Sequence, residues 1–162
     1  MRRIFTLLFV LISPLMFGQD LQEVLDQYND HSIPYISAPE MVSLSPEVWI
    51  LDARESEEFE VSHIPNAHYI GFKDFSEETV IDLITDTNAT IVVYCSVGVR
   101  SEKIAKRLQK MGFQNVKNLY GGIFEWANND YPLESAEGAS TNKIHAYSKQ
   151  WGRFLLKGEK VY

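Results

Sequence analysis

Two rhythms of apolar residues alternate along this chain, one at helical spacing and one in short unbroken runs. Leu21, Val24, Leu25 and Tyr28 share a helical face and predict a short amphipathic helix that ends before Pro34. Ser37 with Glu40 three residues on has the sequence of a capping box and predicts a second short helix through Met41 and Leu44. Strands are then predicted at 48–53 (VWILDA), 67–70, 89–94 and 116–119, the third being the most strongly β-forming run in the chain. Helical patterns separate or follow them at 56–61, in SEETVIDLI from Ser76, at 100–111 and at 122–128. In the 100–111 helix Ile104, Ala105, Leu108 and Met111 face one way, and Gly112 stands where a left-handed C-cap is wanted. Strands that are apolar on both faces and alternate with helices imply an α/β domain with a central parallel sheet flanked by helices. Residues 135–142 (SAEGASTN) have the composition of a linker. Beyond them Ile144, Tyr147, Trp151, Phe154 and Leu155 carry too much apolar bulk for a disordered end, so the tail is expected to dock on the domain.

The N-terminus follows neither rhythm. MRRIFTLLFVLISPLMFGQD places two arginines before an apolar stretch that is short for a bilayer crossing of roughly 20 residues, which is the form of a secretory signal. Cleavage is expected after Gly18, with an uncleaved anchor as the alternative; no cysteine lies nearby to carry a lipid. The protein is thus expected to be exported, periplasmic or secreted, without stable membrane insertion once the signal is removed. The remaining 144 of 162 residues suit one domain, and 13 basic against 22 acidic residues give them a formal charge of −9. That balance argues against a nucleic-acid partner.

A single cysteine cannot form an internal disulfide, so Cys95 is a buried filler, an intermolecular partner or a reactive group. Its position favours reactivity. Cys95 closes the strongest predicted strand, and open α/β sheets bind ligands at the carboxyl ends of their strands. The loop that follows, SVGVR, contains Gly98, which permits a tight turn with successive backbone N–H groups pointing inward as an anion-binding nest. The N-terminus of the next helix and the charge of Arg100 add to this, and all three lower the pKa of a thiol.

At these residues the chain resembles the rhodanese family. The resemblance rests on CSVGVRS and on LDARESEEFEVSHIPNAHYI before it, with Asp52, Arg54, Glu58, Phe59, His63, Ile64, Pro65, Ala67, Gly121, Gly122 and Trp126 at matching positions, while Ser62 and Asn66 replace two family glycines. It implies a rhodanese-like domain over 37–133, and the periodicity and composition on either side add a helical extension at 19–36 and a linker with a docked tail at 134–162. It also implies a sulfurtransferase of the thiosulfate:cyanide type, needing no metal or other cofactor. The thiolate takes sulfur from a small anionic donor such as thiosulfate, or from a persulfide, and passes it to cyanide, a thiol or a protein acceptor. Carried over by position, Cys95 is the nucleophile, the backbone of Ser96, Val97, Gly98, Val99 and Arg100 is the cradle, and the Arg100 side chain draws in the donor.

Other candidates carry less. Asp52 ends a strand on the crevice side, where it lines the pocket or partners a backbone group or Arg54. His63 is expected to fix a turn, Trp126 and Trp49 to lie in the core, and His31, His68 and His145 have no metal-ligand spacing. From Lys143 onward five basic residues face Glu159 alone, giving a solvated basic face or one that docks beside the acidic domain. Two other functions share the fold. Phosphatases and arsenate reductases of this kind enclose five residues between cysteine and arginine, whereas Cys95 and Arg100 enclose four, and Tyr94 stands where they have histidine. A non-enzymatic binding module usually lacks the cysteine; a relay dedicated to one protein partner would keep it.

Overall fold

The structure is a computed structural model that describes residues 20–44 and 46–162; the signal assigned to 1–18 lies outside the described residues. A five-stranded parallel sheet forms the centre, in the order β1 (Tyr35–Ile36), β5 (Asn115–Leu119), β4 (Thr90–Tyr94), β2 (Val48–Asp52) and β3 (His68–Tyr69). The helices are α1 (Leu21–Tyr28), α2 (Ala38–Leu44), α3 (Ser56–Val61), α4 (Glu77–Leu83), α5 (Val99–Lys110) and α6 (Gly122–Asn128). This is the α/β class with a central parallel sheet that the alternation of runs predicts.

Strand β4 shows why three layers form. Its residues point alternately to the two faces, and both faces are buried. Ile91 and Val93 join Ile104, Ala105 and Leu108 of α5 and Val80 of α4 in one core, while Val92 and Tyr94 join Met41 of α2 and Ile123, Phe124 and Trp126 of α6 in the other. At roughly 1.5–3 kcal/mol for each large apolar side chain removed from water, these two cores supply the main drive to fold.

The edges of the sheet depart from the predicted pattern. Strand β1 has only two residues after Pro34, too few for any periodicity to register. Strand β3 is shorter than predicted because Ile70 and Gly71 turn back to share the Asp52 carbonyl (3.0 and 3.2 Å). The two family glycines absent here prove dispensable for different reasons. Asn66 takes the left-handed conformation itself (φ 62°), which asparagine tolerates better than most residues, and Ser62 is extended (φ −169°), as any residue can be. The capping box forms, with Ser37 N–H donating to Glu40 at 2.8 Å and Glu40 N–H to Ser37 Oγ at 3.4 Å.

Beyond the linker-like segment the chain returns to the domain. Strands β6 (Lys143–His145) and β7 (Glu159–Val161) make a separate parallel pair around a single 3₁₀ turn, Gly152–Phe154. Ile144, Ala146 and Leu155 enter the core that contains α6, and the Asn128 side chain binds both the Phe154 carbonyl and the Leu156 N–H. His63 holds the other end of this segment. It exchanges backbone hydrogen bonds with Glu134, sets Nδ1 within 3.2 Å of the Phe59 carbonyl, and stacks on the Phe59 ring at 4.0 Å.

Gly122 is the tightest joint. It has φ 55°, and a Cβ there would stand 2.2 Å from the Cys95 carbonyl oxygen. Gly122→Ala is therefore expected to cost about 3 kcal/mol, combining roughly 1–2 for a left-handed side chain with roughly 1–3 for overpacking. Gly112→Ala has positive φ but meets nothing within 4 Å, and should cost only the first part. Urea unfolding of both variants checks this; equal losses would mean that α6 is not wedged against the loop.

Candidate active site

Cys95 follows the last residue of β4 at the base of a pocket of about 220 Å³. What shapes the loop is the fate of its carbonyl oxygens. The first turn of α6 takes two of them, Ile123 N–H donating to Cys95 (2.9 Å) and Phe124 N–H to Ser96 (3.2 Å). Two asparagine side chains, Asn29 at the end of α1 and Asn118 in β5, both donate to the Gly98 carbonyl (2.9 and 2.8 Å). With its acceptors occupied on the outside, the loop is free to turn N–H groups toward the sulfur. Gly98, at φ 114°, turns there and donates its N–H to Cys95 Sγ at 3.2 Å.

Ser101, one turn into α5, is the second partner of the sulfur. Its Oγ lies 3.5 Å from Cys95 Sγ and 2.7 Å from Asn118 Oδ1, and it is fully buried. A hydroxyl has one proton for these two acceptors, so Ser101 can give it to Asn118 when the cysteine is a thiol and to the sulfur when it is a thiolate. Burial pushes the Cys95 thiol up. The Arg100 charge, the Ser101 hydroxyl and backbone and the Gly98 N–H outweigh it, and the net direction is below the ordinary value.

Arg100 does not present a free charge. Its guanidinium grips Glu58 of α3 through two hydrogen bonds (2.6 and 2.8 Å) and also binds Ser96 Oγ (3.0 Å), which in turn donates to Glu58 (3.0 Å). Glu58 is 2 % exposed; burial raises its pKa, Arg100 more than reverses this, and the carboxyl sits below the usual carboxylate range. The expected attraction of Arg100 for an incoming anion is therefore largely neutralised, while its influence on the neighbouring sulfur remains.

Of the sequence-predicted residues, Cys95, Ser96, Val97, Val99 and Arg100 line the pocket and Gly98 supplies the N–H beneath it. Asp52 does not line it. It is fully buried and forked onto Arg54 (3.0 and 2.6 Å), which also binds the Ser62 carbonyl (2.7 Å) and lies 5.5 Å from the Tyr94 ring. Its pull keeps Arg54 charged against the opposing effect of burial. Asp52 thus fastens the end of β2 to the turn before Ile64, whose N–H reaches the Tyr94 hydroxyl at 3.2 Å.

The sequence reading missed Glu58, Ser101, Asn118 and Asn29 as site residues. Their partners are 3 to 69 positions away, and only a capping-box spacing at Glu55 and Glu58 left a local trace. It also missed the mouth of the pocket, where Tyr28 of α1, Lys103 of α5, and Tyr147 and Trp151 of the C-terminal segment stand.

The chain shares its family and fold with known proteins. A family profile described as "Rhodanese-like domain" matches residues 37–129. A tRNA uridine(34) hydroxylase of Erwinia tasmaniensis is 34% identical over 98 residues, covering 57% of this chain and 28% of that protein. Its counterpart in the Aster yellows witches'-broom phytoplasma is 32% identical over 129 residues, covering 76% and 42%. The chain thus spans less than half the length of these relatives. Among solved structures, a thiosulfate sulfurtransferase from Pseudomonas aeruginosa superposes with a TM-score of 0.60 at 24% identity, over 83% of this chain and 25% of that one. The BH2092 protein from Bacillus halodurans gives 0.58 at 23%, over 74% and 89%. At such identities the two structures establish the fold.

Two predictions follow from the geometry. Arg100→Ala leaves Glu58 buried without its cation and should cost about 3 kcal/mol, near the low end for a broken buried pair because the guanidinium keeps some exposure. Arg100→Met with Glu58→Gln should recover much of that loss, and chemical denaturation compares the two; equal losses would mean that the pair is not the source. Because the Cys95 pKa is lowered, alkylation by neutral iodoacetamide should reach half its limiting rate at a lower pH than for free cysteine. Ser101→Ala removes a hydrogen bond to the charged form and should move that midpoint upward by about one pH unit. An unmoved midpoint would take Ser101 out of thiolate stabilisation.

Proposed function

Because the chain belongs to the rhodanese-like domain family, we propose that it is a sulfurtransferase in which Cys95 carries the sulfur. The observation that carries this reading is a buried thiol at the base of a pocket, its pKa lowered by Arg100, Ser101 and the Gly98 N–H. The thiolate attacks the outer sulfur of thiosulfate, a new S–S bond forms, the bond to the central sulfur breaks, and sulfite leaves with the electron pair. Cys95 is left as an anionic persulfide. The Gly98 N–H already aimed at the sulfur, with the Ser101 hydroxyl turning to it from Asn118, favours negative charge there. An acceptor such as cyanide, a small thiol or a protein thiolate then attacks the outer sulfur and returns the Cys95 thiolate.

Two features of the chain keep the reading to small donors. The formal charge of −7 opposes a nucleic-acid substrate, so the tRNA named for the hydroxylase relatives is not carried over. The four residues between Cys95 and Arg100 make a loop matched to one sulfur rather than to a tetrahedral oxyanion. A relay serving one dedicated protein acceptor is the second reading, and it shares the first half-reaction. Export is also part of the proposal, resting on the sequence of residues 1–18.

Intact mass spectrometry of the protein recovered from the exported fraction tests these points together. The expected chain lacks residues 1–18, gains the mass of one sulfur after exposure to thiosulfate, and loses it on reduction or on addition of cyanide. Cys95→Ser should retain the fold and gain nothing. Absence of the chain from the exported fraction would reject export, a chain there that keeps its N-terminus would reject cleavage after Gly18 in favour of an uncleaved anchor, and a sulfur that still binds in Cys95→Ser would reject the site.

A further inference from the structure

The aromatic side chains at the mouth of the pocket come from segments outside residues 37–129. Tyr28 arrives from α1, and Tyr147 and Trp151 from the segment between β6 and β7. The Tyr28 and Trp151 rings meet at 5.8 Å with a 56° tilt, and the Tyr147 ring covers the Arg100 guanidinium at 4.8 Å. Tyr147 holds this place in a left-handed conformation (φ 63°), its N–H bound to His145 Nδ1 at 3.2 Å, which is strained backbone for a bulky residue. Both tyrosines remain 50% exposed although they stand over a buried thiol. Lys103, exposed and one turn beyond Arg100, also lines the mouth, and among the described residues it forms no ion pair.

These observations fit poorly with an inorganic dianion as the preferred donor. Arg100 is engaged by Glu58, so one lysine is the only uncommitted cation at the mouth among the described residues. The faces of aromatic rings are electronegative and offer nothing to a hydrated anion, but they release water favourably to an apolar group. Resting on the sulfurtransferase reading, we propose that the mouth selects an organic sulfur donor, a sulfane sulfur attached to an apolar or aromatic body with a single negative charge. The body packs among Tyr28, Tyr147 and Trp151, Lys103 pairs with the charge, and the sulfur reaches Cys95. For an aryl thiosulfonate, the Cys95 thiolate bonds to the terminal sulfur, the sulfur–sulfur bond breaks, and the arenesulfinate leaves with the electron pair and its single charge.

Benzenethiosulfonate and methanethiosulfonate carry the same charge and reacting sulfur and differ in the apolar body, so the ratio of their rates of Cys95 persulfide formation reads the mouth. Intrinsic reactivity cancels when this ratio is compared between variants. Tyr28→Ala and Tyr147→Ala should each lower the benzene-to-methane ratio several-fold, and Trp151→Ala about ten-fold, in the range of a lost apolar contact to substrate. Ile81→Ala, an exposed apolar change on α4, should leave it unmoved. Lys103→Ala should slow both donors by a similar factor. A ratio equal in the native chain and all three aromatic variants would overturn the proposal. A separate measurement needs no sulfur transfer: benzenesulfonate should protect Cys95 from iodoacetamide at several-fold lower concentration than methanesulfonate, and Tyr28→Ala should abolish the difference. Protection without persulfide from any donor would reject the sulfurtransferase reading and keep the apolar mouth; persulfide formation with equal protection by both sulfonates would do the reverse.

Discussion

Two hydrogen bonds from the first turn of α6, to the carbonyl oxygens of Cys95 and Ser96, set the geometry on which the reactive end of the sheet depends. A carbonyl and the N–H of the next residue belong to one rigid peptide plane, so fixing where the oxygen points also fixes where the hydrogen points. The bonds can form only because α6 approaches within a distance that leaves no room for a Cβ at Gly122. Asn118 and Asn29 extend the same constraint to the Gly98 carbonyl from β5 and from the end of α1. Three separate elements thereby fix the Ser96, Val97 and Val99 N–H groups, the peptide planes on either side of the Gly98 N–H that faces the thiol.

The charges around the site follow a second rule, that buried ions are paired. Arg54 with Asp52 and Arg100 with Glu58 are two carboxylate–guanidinium pairs close behind the loop, and neither leaves an uncompensated charge in the protein interior. The first ties the end of β2 to the turn before Ile64. The second joins α3 to the start of α5 and, through Ser96, to the loop itself. Pairing changes what Arg100 can do. Its effect on Cys95 survives because the sulfur is near, while its reach into solvent is cancelled by the carboxylate, and Lys103 is left as the cation facing the mouth.

The centre of the fold was legible in the sequence, and its edges only in part. Unbroken apolar runs such as 91–94 occur because β4 is covered on both faces, and this two-sided burial is the physical content of the pattern. Strand β1, at two residues, is stabilised by its neighbour and leaves no periodic trace, whereas β3 is predicted at 67–70 and forms at His68–Tyr69 only. In the site, Cys95, Gly98 and Arg100 could be read because one loop brings them together in consecutive sequence. Asp52 was ambiguous for a complementary reason: a carboxylate at the end of a strand can face either the pocket or a buried arginine, and only packing decides which.

The sequence by itself determined the layered parallel sheet, the place of the nucleophile at its carboxyl end and the turn that follows, all of which rest on burial pattern and backbone preference within a few residues. The tertiary structure alone decided that Arg100 is neutralised by Glu58, 42 positions away, and that Ser101 shares its proton between Cys95 and Asn118. It alone decided that α1 and the segment after β6 bring Tyr28, Tyr147 and Trp151 to the pocket that holds the thiol. A hydrogen bond or an ion pair depends on distances of a few ångströms between groups whose separation along the chain is unconstrained, so these contacts exist only once the sheet and helices have packed.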